Sequence, residues 1–149
     1  MLQNNVGKSG IQVTPNDTYE LLLKNCPKKA KQLLISVSIV SSNYTDTGYL
    51  AMKDRTGNLG VGIDFSWTSI HRYKNGSKFI KGMNDQVILN ILIDQVNRSY
   101  ALLAQNNGAK EVFRTTSQPF LHPAFSGPSK LEFAVKGNFT IEQVAIRNI

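Results

Sequence analysis

An all-β fold, in the form of an antiparallel two-sheet jelly-roll β-sandwich, is what this 149-residue chain predicts. Apolar and polar residues alternate in many short runs, turn-forming residues punctuate those runs, and no amphipathic helix of convincing length occurs. The clearest run is 33–40, where Leu33, Ile35, Val37 and Ile39 share one face and Ser36 and Ser38 the other. That period of two is the mark of a half-buried strand.

The spacing predicts strands at 11–14, 19–24, 33–40, 49–53, 59–67, 78–81, 86–94, 98–105, 110–115, 130–135 and 140–147. Val61, Ile63, Phe65 and Trp67 repeat the rhythm, and so do Leu131, Phe133 and Val135. Between the runs stand Thr14-Pro15-Asn16-Asp17, Asp54-Arg55-Thr56-Gly57-Asn58, Lys74-Asn75-Gly76-Ser77, Asn106-Asn107-Gly108 and Ser126-Gly127-Pro128-Ser129, all with turn chemistry. Asn75-Gly76 suits a tight hairpin. The stretch from Val87 to Asp94 is apolar on both parities. It reads as a central strand covered on both sides, or as one whose outer face is partly apolar, with a short buried helix as the competitor. Residues 1–10 are polar and read as a loose lead-in. No linker, repeat or low-complexity tract divides 11–149, which is read as a single β-sandwich domain.

The formal net charge of +7 favours acidic partners: nucleic acid, anionic glycan or cell-wall polymer. The competing reading is a basic surface with no partner. Lys24, Lys28, Lys29 and Lys31 form one local cluster, and Arg72, Lys74, Lys78 and Lys81 another. Cys26 is the one cysteine, so an internal disulfide is excluded. No apolar run approaches the roughly 20 residues that span a bilayer, and Met1 is not followed by a signal-peptide pattern.

Several chemistries can be set aside. Gly7-Lys8-Ser9 resembles the end of a phosphate-binding loop, but Leu2 stands where that loop needs its first glycine. His71 and His122 have no cysteine or carboxylate partners at zinc-ligand spacing. Glycoside cleavage needs two carboxylates about 5–10 Å apart, and none of Glu20, Glu111, Glu132 and Glu142 belongs to a Glu-x-Asp-x-Glu strand. His71, Arg72 and Tyr73 supply types that a polysaccharide lyase uses, yet three neighbours on a strand do not face one substrate. Nucleic-acid binding would need aromatic and basic residues interleaved on one strand face, whereas Phe65, Phe133 and Phe139 fall on core parities. No catalytic signature is found, and the chain is read as a non-enzyme.

Three stretches carry a family resemblance. The run 48–58, ending in Asp54-Arg55-Thr56-Gly57-Asn58, is similar to the strand, Asp-x-x-Gly-Asn turn and strand of concanavalin-like and carbohydrate-binding-module jelly rolls. The long strand ending Ile93-Asp94, with the turn and strand that lead to Tyr100, resembles theirs, as does the closing pair 131–146. Where those domains often read Ile-Asp-x-Val, this chain has Gln143, which weakens an inherited calcium site. No cofactor is expected, and structural calcium is indicated by no motif. The resemblance implies sugar binding by aromatic faces stacked on pyranose rings, with Asp, Asn, Gln and Arg around the hydroxyls.

Candidates for that role lie off the core parities. Tyr44 and Tyr49 flank the polar loop Thr45-Asp46-Thr47-Gly48, Tyr73 precedes Asn75-Gly76, and these three are the platform candidates. Asp64 faces outward beside Trp67, which is assigned to the core. Asn90 and Asp94 share a parity, and Arg72 offers a contact to an acidic sugar. An ordinary half-buried tyrosine or solvated arginine is the competing explanation at each position. Five Asn-x-Ser/Thr sequons, at Asn16, Asn43, Asn75, Asn97 and Asn138, hint at an extracellular, virion or cell-surface setting or simply reflect an Asn-rich composition.

The leading expectation is a non-catalytic, lectin-like module for a glycan, favouring acidic polysaccharide and attached to a larger parent protein or assembly. A structural module of a virion or surface complex is the second reading, and a small polysaccharide lyase or hydrolase the third.

Overall fold

A computed structural model of the chain describes residues 11–13, 18–23, 31–40, 47–66, 70–72, 86–106, 111–136 and 139–148. The described residues form strands and turns and contain no helix. In chain order the strands are β1 (Ile11–Val13), β2 (Thr18–Leu22), β3 (Gln32–Val40), β4 (Thr47–Lys53), β5 (Leu59–Ser66), β6 (Ile70–Arg72), β7 (Gln86–Asp94), β8 (Ser99–Asn106), β9 (Glu111–Arg114), β10 (Gln118–Pro119), β11 (Lys130–Lys136) and β12 (Phe139–Asn148). The predicted strand at 78–81, like the lead-in 1–10, lies outside the described residues. β6 and β10 fall outside the predicted ranges, being too short to show a period.

Two antiparallel sheets result. One has seven strands in the order β1-β12-β3-β7-β8-β10, with β9 also paired to β8, and the other has five in the order β2-β11-β4-β5-β6. Neighbours distant in sequence, such as β3 beside β12 and β2 beside β11, give the crossed connections of a jelly roll. Leu33, Ile35, Val37 and Ile39 have no exposed surface. Each contributes about 1.5–3 kcal/mol relative to an exposed position. They join Ile91 and Ile93 of β7 and Leu102 of β8 in one cluster with Leu50, Met52, Ile63 and Phe133 of the five-stranded sheet. β7 lies between β3 and β8, and its second parity, Ile88, Asn90, Leu92 and Asp94, is half-buried on the outer face. The partly apolar outer face is therefore the alternative that the structure adopts.

The segment 115–129 crosses from one sheet to the other and closes one end of the sandwich. It bonds to the seven-stranded sheet through Thr115 N to Leu102 O at 2.9 Å, and to the five-stranded one through Leu121 N to Gly60 O at 3.0 Å and Ser129 N to Lys53 O at 2.9 Å. Phe125 is fully buried in its middle, with its ring 4.7 Å from that of Phe120 in an edge-on arrangement. Gly60 is required beneath it, since a Cβ there would stand 2.6 Å from three Phe125 ring atoms. From the other side the Arg98 guanidinium donates to the carbonyls of Pro123 and Phe125, both at 2.7 Å, and lies 5.5 Å from the Phe120 ring centre.

Candidate functional site

Alternation along the strands gives each sheet an outward face, and the structure divides the sequence candidates between them. On the five-stranded sheet Tyr49 pairs with Asp64, both half-buried, and Asp64 pairs in turn with His71. Arg72 pairs with Ile63, so the register sets His71 rather than Arg72 in line with Asp64 and Tyr49. Beside that row the surface is closed: Ala51 has no exposed area, Gly62 is buried, and Lys53 and Glu132 form an ion pair at 3.1 Å. Tyr44, Tyr73 and Trp67 lie outside the described residues.

Asn90 stands on the opposite side of the molecule, at the centre of the outward face of the seven-stranded sheet. Its cross-strand row runs Ala145, Ser36, Asn90, Leu103, Arg114 over β12, β3, β7, β8 and β9. The Asn90 carboxamide is a bracket between three strands. Its Oδ1 accepts from the Ser36 hydroxyl at 2.8 Å, and its Nδ2 donates to the Leu103 carbonyl and to Gln105 Oε1, each at 3.1 Å. Half-buried Leu34, Leu92, Leu103 and Ile88 surround this polar centre. At one border a bulge between Ile141 and Gln143 puts Glu142 and Gln143 side by side at the surface, opposite Ser38. The Ser38 hydroxyl donates to Glu142 at 3.2 Å. Arg114, at the other border, is exposed.

Sequence reasoning reached Asn90 but missed Gln105, Ser36 and Arg114 as its companions. Their juxtaposition depends on pairing between strands as far apart as residues 36 and 90, for which no local signal exists. The two-residue alternation could have put Gln105 on the outer parity of β8.

The Asp-x-x-Gly-Asn turn has a structural occupation. Asp54, 2% exposed, accepts at Oδ1 from the backbone N–H of Thr56 at 3.0 Å and of Asn58 at 2.8 Å, and at Oδ2 from the Ser126 N–H at 3.0 Å. Burial pushes its carboxyl up, but the Asn58 and Ser126 N–H groups, with the Thr56 hydroxyl and the Asn58 amide, outweigh it and hold the group well below the usual carboxylate range. Gly57 completes the turn at φ +88°. The carboxylate is thus committed to joining this turn to the segment at Ser126. Asp94 is likewise held low, first by the Asn97 N–H and then by the Asn97 side chain, at the β7–β8 hairpin. His122 uses Nδ1 to accept from the Ala124 N–H at 3.0 Å. Among the described residues no group of three or more His, Cys, Asp or Glu could hold a metal ion, and no helix is long and apolar enough to cross a membrane.

No family model matches the chain, and no curated protein matches it by sequence. Solved structures do. The chain is similar to sheep galectin-11 in complex with glycerol, at 11% identity and TM-score 0.51 over 91% of this chain and 99% of that one. It is similar also to the exoplasmic/lumenal domain of VIP36 in its Ca2+/Man-bound form, at 13% identity and TM-score 0.55 over 98% and 82%. A third likeness is the catalytic domain of the glycoside hydrolase family 131 protein from Coprinopsis cinerea, at 13% identity and TM-score 0.59 over 83% of this chain and 59% of that one. With galectins, a legume lectin and VIP36 among these neighbours, the fold is the lectin-type jelly-roll sandwich.

Proposed function

We propose that the chain is a non-catalytic glycan-binding module whose ligand lies on the outward face of the seven-stranded sheet. The observation that carries this reading is the interstrand carboxamide bracket of Asn90, set among half-buried aliphatic side chains on the outward strand face. A pyranose presents C–H patches and hydroxyls together, and a rigid surface mixing methyl groups with fixed amide and hydroxyl dipoles complements both. The face that carries Tyr49 and Asp64 is less suited, because the floor between its side chains is closed at Ala51 and Gly62. The lectin neighbours support the reading at the level of fold, and the +7 charge supports long-range attraction of acidic polysaccharide in particular.

The test is an array of neutral and acidic polysaccharides probed with the wild type and with Asn90→Ala, Tyr44→Ala, Tyr49→Ala and Tyr73→Ala. Saturable binding that Asn90→Ala weakens and Tyr49→Ala spares supports the site. Loss with Tyr49→Ala alone moves the ligand to the five-stranded sheet. Silence across the array from folded protein removes the reading and puts a structural module of a larger assembly first.

A further inference from the structure

We infer that the centre of this face is a subsite for a 2-acetamido sugar, whose N–H donates to Asn90 Oδ1 and whose acetyl methyl lies on Leu34 and Leu92. The inference rests on the glycan-binding reading and deepens it by naming the substrate class. The Leu103 carbonyl has no proton, so the Asn90 atom 3.1 Å from it is the NH2 group, and the atom 2.8 Å from the Ser36 hydroxyl is the carbonyl oxygen. An amide NH2 has two hydrogens, and the Leu103 carbonyl and Gln105 Oε1 are its two acceptors. The Ser36 hydroxyl has one hydrogen, which goes to Asn90 Oδ1. Every side-chain donor of the Asn90–Ser36 pair is thus engaged within the sheet, while Asn90 Oδ1 keeps a second lone pair and both residues, half-buried, keep accessible surface. A group seated there has to bring its own hydrogen. Carboxylate and sulfate oxygens bring none.

Charge does not reverse that preference. The central strands β3, β7 and β8 contain no lysine or arginine, although the chain has 17. The flanking strands mix signs, Glu142 with Arg147 on β12 and Glu111 with Arg114 on β9. Three donor groups are then to be compared at C2 of a hexose: a hydroxyl, an ammonium and an acetamido N–H. The apolar neighbours choose among them. Leu34 and Leu92 pair across β3 and β7, one row and about 7 Å along the strands from the Ser36–Asn90 pair. A hydroxyl satisfies the acceptor alone, and a strongly hydrated ammonium gains nothing from leucines. An acetamido group satisfies the acceptor and sets its methyl, on the same planar group, against the two side chains. The +7 charge acts at longer range, so an acidic polysaccharide that contains acetamido residues meets both conditions.

The experiment measures binding of the full chain to matched oligosaccharide series that differ only at C2, bearing hydroxyl, free amine or acetamido, each in gluco and galacto configuration, at about 0.15 M salt. In at least one configuration the acetamido series is expected to bind about fivefold or more tighter than the hydroxyl series, the order of effect that burying one methyl group supplies. An N-formyl series, which keeps the N–H and lacks the methyl, should lose that advantage without any change to the protein. Leu92→Asn, at a half-buried outward position, should cancel the preference and leave binding of the hydroxyl series within about twofold. Asn90→Ala, shown to be folded by its urea transition, should weaken every series. Equal binding of acetamido and hydroxyl series, or a preference indifferent to Leu92→Asn, overturns the inference while the glycan-binding reading stands. Tightest binding of the amine means that the acceptors take a cation, and overturns it as well. So does binding of none of these series by protein that binds another polysaccharide on the array, whereas silence on both removes the inference and the reading together.

Discussion

Replacing Asp54 by alanine removes the acceptor that joins the β4–β5 turn to the segment covering the end of the sandwich. Three backbone N–H groups, of Thr56, Asn58 and Ser126, lose a charged partner at 2.8–3.0 Å. Thr56 and Ser126 are exposed and can turn to water, whereas Asn58 is half-buried. Hydrogen bonds to a charged group contribute about 1.5–3 kcal/mol each, and rehydration of the two exposed donors brings the total to roughly 3–4 kcal/mol. For a chain of this size that lowers Tm by about 6–16 °C. Asp54→Asn keeps an oxygen for Asn58 but turns an NH2 toward Ser126, and should cost about 2 kcal/mol. The pH dependence is the sharper check. Because the folded carboxyl is held below its unfolded value of about 3.9, its stabilisation is complete above that pH and is lost as pH falls below it. Urea unfolding at pH 7, 5 and 3 should therefore show a constant gap between wild type and Asp54→Asn down to pH 5 and a narrower one at pH 3. A cost under about 1 kcal/mol for Asp54→Ala, or a gap that does not change at pH 3, would refute the assignment.

Gly60→Ala drives a methyl to within 2.6 Å of the Phe125 ring and should destabilise by about 1–3 kcal/mol in chemical denaturation, with partial rescue by Phe125→Leu. Arg98→Ala deletes both carbonyl contacts of the guanidinium and its approach to Phe120, at about 1–3 kcal/mol. Because Asp54 and Arg98 hold the same segment from opposite sheets, a double-mutant cycle should return a coupling of about 0.5 kcal/mol or more, whereas additive costs would show that the segment does not move as one piece. Gly57→Ala, at φ +88°, should lower Tm by a few degrees without altering glycan binding, since the turn lies away from the Asn90 face.

Much of the sandwich was legible in the residues. The alternation at Leu33, Ile35, Val37 and Ile39 assigned a face to each side chain before any partner strand was known, because a pleated strand turns successive side chains to opposite sides. The Asp54-to-Asn58 turn was legible for a similar reason: a short Asp side chain reaching its own downstream N–H groups is a local event. β6 and β10, with three and two residues, are held by neighbouring strands and carry no period of their own.

The site was legible only in its parts. Sequence put Asn90 and Asp64 on outward parities but could not say that they face away from each other, because parity fixes a side of a strand and not which sheet the strand joins. Nor could it assign Asp54 to Ser126 or Arg98 to the carbonyl of Phe125, contacts that close over intervals of 72 and 27 residues. The sequence by itself determined the longer described strands, the Asp54-to-Asn58 turn and the inward and outward sides of those strands, since each follows from sterics and hydration within a few residues. Only the tertiary structure decided which strands are neighbours, and with that the direction of the Asn90 hydrogen bonds and the position of Arg114, because a network of this kind has no polarity until a backbone carbonyl from another strand supplies one.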